Sequence, residues 1–163
     1  MGCERQAITF ALPSASWSIS FTATTIKFME GHSQRRWINK ESVGQLFTKD
    51  LTQSLVVVDL ATRLKPRRSS WASVTFDPEG AMAEREKFFK EGLHCIGLWH
   101  THPEPIPVPS GRDATLAADH AVAASSVLNG LGFVIVGNQP FPDGWYIGFN
   151  DGREFHKAAV ANG

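Results

Sequence analysis

The stretch Gly97 to Asp113, "GLWHTHPEPIPVPSGRD", holds His100 and His102 one residue apart, Ser110 and Asp113 three apart, and prolines at 103, 105, 107 and 109 between the two pairs. On a strand, side chains alternate with period two, so His100 and His102 share a face and Thr101 points to the other. On the first turn of a helix, Ser110 and Asp113 are neighbours on one face. Alternating prolines favour an extended, stiff connection between the pairs. Two imidazoles and a carboxylate can then converge. Three protein ligands with a fourth position left to water describe a catalytic zinc centre, whereas a structural centre fills all four with protein.

Each pair has an ordinary reading by itself. An isolated histidine is usually a packing or surface residue, and Ser-x-x-Asp ahead of an apolar helix is a common capping pattern. The joint spacing is His-x-His, seven residues, Ser, two residues, Asp. That combination is much more restrictive than either half, and it favours the metal.

The elements that must carry these groups are legible in outline. Ser16–Phe21 reads as a short strand and Thr22–Ser33 as a helix, from the spacing of Phe21, Ile26 and Met29. "SVGQLF" and "SLVVVDLAT" read as strands, the second a β-branched run of the kind buried at a sheet centre. Asp77-Pro78 opens a helix through "EGAMAEREKFFKE" that Gly92 closes. "LHCIGLWH" is a buried strand leading into the histidines. Ser110 or Gly111 then begins an Ala-rich helix to about Leu128, and "LGFVIVG" and "GWYIGF" are two more strands around the turn "NQPFPD". The elements read as an α/β/α or α+β plan, and the predicted fold class is α/β, with a mixed β-sheet flanked by helices, in a single domain over residues 1–163.

Composition narrows the function classes. Apolar residues make up 42% and charged residues 20%, and 16 Lys plus Arg balance 16 Asp plus Glu, which gives no argument for nucleic acid or a membrane surface. "KPRR" at Lys65–Arg68 reads as a solvated loop. Cys3 and Cys95 are too few for a disulfide framework, and both are expected as reduced thiols in a cytoplasmic protein. The first twenty residues lack a signal-peptide core, Gln6 stands where a myristoylation signal wants Ser or Thr, and no window approaches the roughly 20 apolar residues of a membrane span. Gly-x-Gly-x-x-Gly and Walker loops are missing, as are the His-Glu-x-x-His of zincins and the Pro-Cys-x-x-Cys of zinc deaminases.

The joint motif resembles the signature of the JAMM (JAB/MPN) metallopeptidase family: an upstream Glu, then His-x-His, seven residues, Ser, two residues, Asp. His100, His102, Ser110 and Asp113 match it with every spacing, and the upstream Glu corresponds to Glu41 in "ESVGQLF", where Val43 replaces the first glycine of many relatives. The resemblance implies a single MPN (JAB) domain of cytidine-deaminase-like architecture. It also implies one Zn²⁺ per chain on His100, His102 and Asp113, with water in the fourth place. Glu41 would serve as general base and then acid, and Ser110 would stabilise the oxyanion.

Such enzymes cleave after the C-terminus of ubiquitin or a ubiquitin-like modifier. The chain most resembles stand-alone bacterial members of antiphage (CBASS) operons, in which an E1/E2-like ligase attaches a cyclic-nucleotide synthase to a target and the JAMM protein removes it. Alternatives are a JAMM peptidase processing a ubiquitin-like sulfur carrier and a non-catalytic MPN scaffold; scaffolds typically lack ligands that this chain keeps. No nucleic-acid or membrane partner is expected.

The remaining candidates are weaker. His94, on the face of His100 if the strand is regular, reads as structural. His120, two helical turns beyond Asp113, reads as a helix-surface residue, and Cys95 as out of register with the histidine pair. Glu30 reads as a solvated carboxylate at a helix end, and Glu104 as projecting from its Pro-flanked segment to the rim of the site. Trp99 and Trp71 are candidate walls of a slim channel, though core is the commoner place for tryptophan. A strand edge near Leu46–Phe47, or the Pro-rich loop, is the expected place for an extended modifier tail to pair.

Overall fold

Each helix begins at a side chain able to cap it. The computed structural model describes residues 8–12, 14–36, 38–69, 74–125 and 128–161. Thr22 precedes helix α1 (Ala23–Glu30), and its hydroxyl accepts from the Thr25 N–H. Asp77 caps α2 (Pro78–Lys90), with Pro78 where a missing N–H costs no hydrogen bond. Ser110 caps α3 (Gly111–Ala123) in a reciprocal box with Asp113. Gly92, just past α2, takes φ of 83°, a left-handed conformation that a Cβ would disfavour.

The strands are β1 (Thr9–Ala11), β2 (Ser18–Phe21), β3 (Val43–Thr48), β4 (Leu55–Val58), β5 (Leu60–Ala61), β6 (Pro66–Ser69), β7 (Val74–Phe76), β8 (His94–Thr101), β9 (Leu131–Val136), β10 (Trp145–Asn150), β11 (Phe155–Lys157) and β12 (Ala159–Val160). They form a six-stranded sheet, β11-β10-β9-β8-β3-β5, a four-stranded sheet, β12-β1-β2-β4, and a β6–β7 hairpin. The larger sheet is mixed, as expected, since β8 runs parallel to β9 and antiparallel to β3.

Strand alternation divides the core. Trp99, Val134, Trp145 and Ile147 face Phe10, Ile19 and Phe21 of the smaller sheet and Met29 of α1. Leu98, Phe133, Ile135 and Tyr146 face the opposite way, against Ala117 and Ala121 of α3. His100 is two residues beyond Leu98, so period two aims it toward α3. The sheet thereby delivers the imidazoles to the helix that carries the carboxylate.

Several expectations are corrected. "SLVVVDLAT" is not a buried central strand: it splits at Asp59 into β4, an edge strand with Leu55 41% exposed, and the two-residue β5. Side-chain hydrophobicity reports which faces are covered and says nothing about which hydrogen-bonding edge is paired. Residues 66–69 of the basic cluster and its flank form β6, not a loop. Helix α3 stops at Ala123 instead of about Leu128; the Ser125 N–H and hydroxyl both donate to the Val122 carbonyl at its end.

The register of β8 is also irregular. Leu46 pairs with Gly97 and Phe47 with Cys95, which leaves Ile96 as a bulge. The bulge reverses the alternation before it, so Cys95 lies beside Gln45, the cross-strand partner of Leu98, with Sγ 3.7 Å from Gln45 Oε1. Cys95 therefore shares the face of His100, at the far end of the strand. Cys3 and Trp71 lie outside the described residues.

Candidate metal centre

His100 is held on both sides of β8, paired with Val43 of β3 and Ile135 of β9, and its ring packs 5.2 Å from the Phe133 ring. His102 follows the strand, and its N–H donates to the Val136 carbonyl, so the extended backbone continues past Thr101. Both imidazoles consequently emerge on one face, Nε2 to Nε2 at 2.9 Å.

Asp113 reaches the same point from the first turn of α3. Its Oδ1 is 3.0 Å from His100 Nε2 and its Oδ2 is 3.5 Å from His102 Nε2. Burial alone would raise this carboxyl, but the hydrogen bond and charge of His100, with the Ser110 backbone and side chain, hold it down to about 2. Burial and the neighbouring His100 lower His102, which favours the neutral ring that ligates metals. Ser110 caps the helix: its Oγ accepts from the Asp113 N–H at 3.2 Å, while its own N–H donates to Asp113 Oδ2 at 2.7 Å. The hydroxyl hydrogen stays available at an exposed helix N-terminus.

Glu41 enters from the segment before β3, with Oε1 3.7 Å from His102 Nε2. Glu41, His100 and His102 each offer a ligand atom within 4.8 Å of the others. Asp113 lies 3.0 and 3.5 Å from the two imidazoles and Glu41 3.7 Å from His102, so two carboxylates stand at the histidine pair. A tetrahedral zinc with ligands about 2.0–2.1 Å away separates them by roughly 3.3 Å. The 2.9, 3.0 and 3.5 Å separations of His100, His102 and Asp113 bracket that value, so the buried donors fit such an ion.

What holds the backbone next to Glu41 is not visible in the motif. Thr101, on the opposite face from the histidines, accepts from the Ser42 N–H through Oγ1 at 2.9 Å and donates its own N–H to the Ser42 carbonyl at 3.0 Å. Its hydroxyl donates to Gln34 Oε1 at 3.0 Å, and Gln34 Nε2 donates to the Asn39 carbonyl at 2.9 Å. This buried chain pins the Glu41–Ser42 backbone to the histidine strand. Thr101→Val should leave the Ser42 N–H and Gln34 Oε1 unpaired, lowering stability by about 1–3 kcal/mol in denaturant unfolding, with zinc content unchanged.

Val43, at the departure from the family pattern, is buried with Leu64 and Ala81, and its carbonyl accepts from the Leu64 N–H at 2.8 Å. Its neighbour Gly44 has no such latitude, because a Cβ there would meet the Thr62 carbonyl oxygen at 1.6 Å and Trp99 Nε1 at 2.4 Å. That crowding follows from the 2.7 Å bond that Trp99 Nε1 donates to Thr62. Trp99 is fully buried core, and not a channel wall.

Leu46 and Phe47 are likewise no free edge: they pair with Ala61 and Leu60, and both are buried. Glu30 is not simply solvated, since its Oε1 accepts from the Phe141 N–H at 2.6 Å. His94 packs its ring 5.7 Å from the Phe89 ring. His120 turns to Arg85, with Nδ1 3.5 Å from Nη2, and burial followed by the Arg85 charge lowers its pKa. Burial raises the Cys95 thiol, which makes it a poor nucleophile. Asp151, Glu154 and His156 also cluster, but Asp151 serves the β10–β11 turn, accepting from the Arg153 and Glu154 N–H groups at 2.8 and 2.9 Å.

A mixed sheet that ends in His-x-His, faced by an Asp on the first turn of a helix and by a Glu ahead of the adjacent strand, is the plan of a JAB-type α/β domain. The chain belongs to the prokaryotic homologues of the JAB domain, whose match covers residues 30–148. It is 30% identical over 111 residues to a CD-NTase/cGAS isopeptidase of Enterobacter hormaechei subsp. hoffmannii (strain UCI 50), across 65% of this chain and 59% of that protein. The alignment thus spans less than two thirds of the relative. Two solution structures share the fold. One, from Desulfitobacterium hafniense, has a TM-score of 0.64 at 20% identity over 85% of this chain and 88% of its own. The other, from Salinibacter ruber, has a TM-score of 0.54 at 19% identity over 88% and 90%.

Proposed function

We propose that this chain is a zinc-dependent JAMM isopeptidase that cleaves after the C-terminus of a ubiquitin-like modifier or conjugated protein. The observation that carries this reading is the convergence of His100, His102 and Asp113 at ligand spacing with Glu41 beside them. The name of the Enterobacter relative supports a conjugated cyclic-nucleotide synthase as substrate, and hence a role in reversing conjugation during bacterial antiphage defence. No helix among the described residues is long and apolar enough to cross a membrane. We infer a cytoplasmic location from the proposed role alone.

A zinc ion bound by these three side chains would supply Lewis acidity and make water more acidic near neutral pH. Glu41 takes a proton from the attacking water and returns it to the leaving amine as the C–N bond breaks. The Ser110 hydroxyl donates to the oxygen on which negative charge develops, aided by the α3 N-terminus. With β3 covered, an extended tail is left the Pro-rich loop, where Ile106 and Val108 are 61% and 64% exposed.

The test is a synthase whose C-terminus is fused to a reporter protein. Zinc-loaded enzyme should release the reporter at the junction, a chelator should stop release, and added zinc should restore it. Release only from a sulfur-carrier fusion would reassign the substrate. Stoichiometric zinc with no cleavage of either fusion would identify a scaffold.

A further inference from the structure

His102 has a second nitrogen that the ligand set does not use. Its Nδ1 is buried and, among the described residues, has no hydrogen-bond partner. A buried N–H left unpaired costs about 1–3 kcal/mol, and ligating histidines almost always donate their other ring N–H to a carboxylate, carbonyl or water. Among the described residues, the carboxylate that faces this atom is Glu104, with Oε2 at 3.9 Å.

That distance exceeds a hydrogen bond by about 1 Å, within reach of a change in side-chain torsion alone. The backbone beneath is held. The Asn138 N–H donates to the Glu104 carbonyl at 2.9 Å, and Asn138 Nδ2 donates to the Pro103 carbonyl at 2.9 Å. Gly137 permits this approach, since a Cβ there would lie 2.6 Å from the Glu104 carbonyl oxygen and 2.7 Å from Pro107 Cδ. Flanking prolines stiffen the segment further. The Glu104 side chain, 53% exposed, retains the freedom to swing while its Cα does not.

Resting on the zinc reading above, we infer that Glu104 is a positioning residue, accepting a hydrogen bond from His102 Nδ1–H and so holding the ring with Nε2 toward the metal. The contact selects the Nδ1–H tautomer, leaves the Nε2 lone pair for zinc, and restricts rotation of the ring. Neither the family motif nor the assigned ligands include Glu104, and the sequence alone suggests the rim for it.

Zinc affinity measured by competition with a chromophoric chelator, on the full chain, tests this without reference to turnover. Glu104→Ala should weaken zinc by about 10–100-fold. Glu104→Gln keeps an oxygen acceptor and should recover most of that loss. Both zinc-free variants should melt with the parent, and the visible spectrum of the cobalt-substituted protein should shift in Glu104→Ala more than in Glu104→Gln.

Parent-like zinc affinity in Glu104→Ala would overturn the inference and leave the metal reading intact. Equal affinity losses in both variants, with lowered zinc-free melting temperatures, would also overturn it by pointing to loop packing. A parent that takes up no zinc would remove the metal reading and the inference together.

Discussion

Glu41→Ala should retain one zinc per chain and a parent-like melting profile while losing about 100–10,000-fold in cleavage rate, the usual range for a general base. The geometry separates the two properties. Glu41 Oε1 is 3.7 Å from His102 Nε2, whereas Asp113 lies 3.0 and 3.5 Å from the two imidazoles, so deletion of Glu41 leaves all three of the ligands proposed above in place. The backbone at Ser42 remains tied to Thr101, which guards against a general loss of local structure. Metal content by elemental analysis and single-turnover cleavage of the fusion substrate check the two halves together. A variant that cleaves like the parent would mean the base is misassigned, and one that loses zinc would make Glu41 a ligand.

His102→Ala should lose both metal and activity. Removing a ligand should weaken binding beyond the roughly 10–100-fold that accompanies loss of an outer hydrogen-bond partner, and dialysed protein should carry clearly substoichiometric zinc. The same donors should make zinc binding by the parent sensitive to acid. Asp113, held down to about 2, stays ionised through the mildly acidic range, so protons compete with zinc at His102. Zinc affinity should consequently fall as pH drops, and the lowered pKa of His102 moves its part of that loss to lower pH than an ordinary histidine would show. Equilibrium dialysis across pH measures this. A His102→Ala protein that holds a full equivalent of zinc would overturn the ligand assignment.

His100, His102, Ser110 and Asp113 were legible in one stretch of sequence because their convergence needs only local geometry. Period two aligns the histidines, a capping box places Asp113 on the first helical turn, and prolines join the two. The mixed α/β plan was legible for the same reason, since caps such as Asp77-Pro78 and buried runs such as "LHCIGLWH" declare themselves within a few residues. Glu41 needed the family pattern, because nothing local ties a residue before β3 to a strand more than fifty residues later.

Other features depended on which segments meet across the fold. Thr101 and Gln34 tie down the backbone next to Glu41 through hydrogen bonds between residues 67 and 59 positions apart along the chain, and ordinary Thr and Gln carry no sign of that role. Leu46–Phe47 is closed by β5, and β4 lies at an edge, because strand edges are satisfied by backbone groups identical in every residue but proline. The bulge at Ile96 moves Cys95 to the other face through a mismatch between two strands that neither strand shows alone. Sequence by itself determined the donors and the faces they occupy; the tertiary structure decided which edges are covered, which strand ties down the backbone next to Glu41, and that Glu104 lies beside Nδ1 of His102, because those outcomes arise from pairing between distant segments.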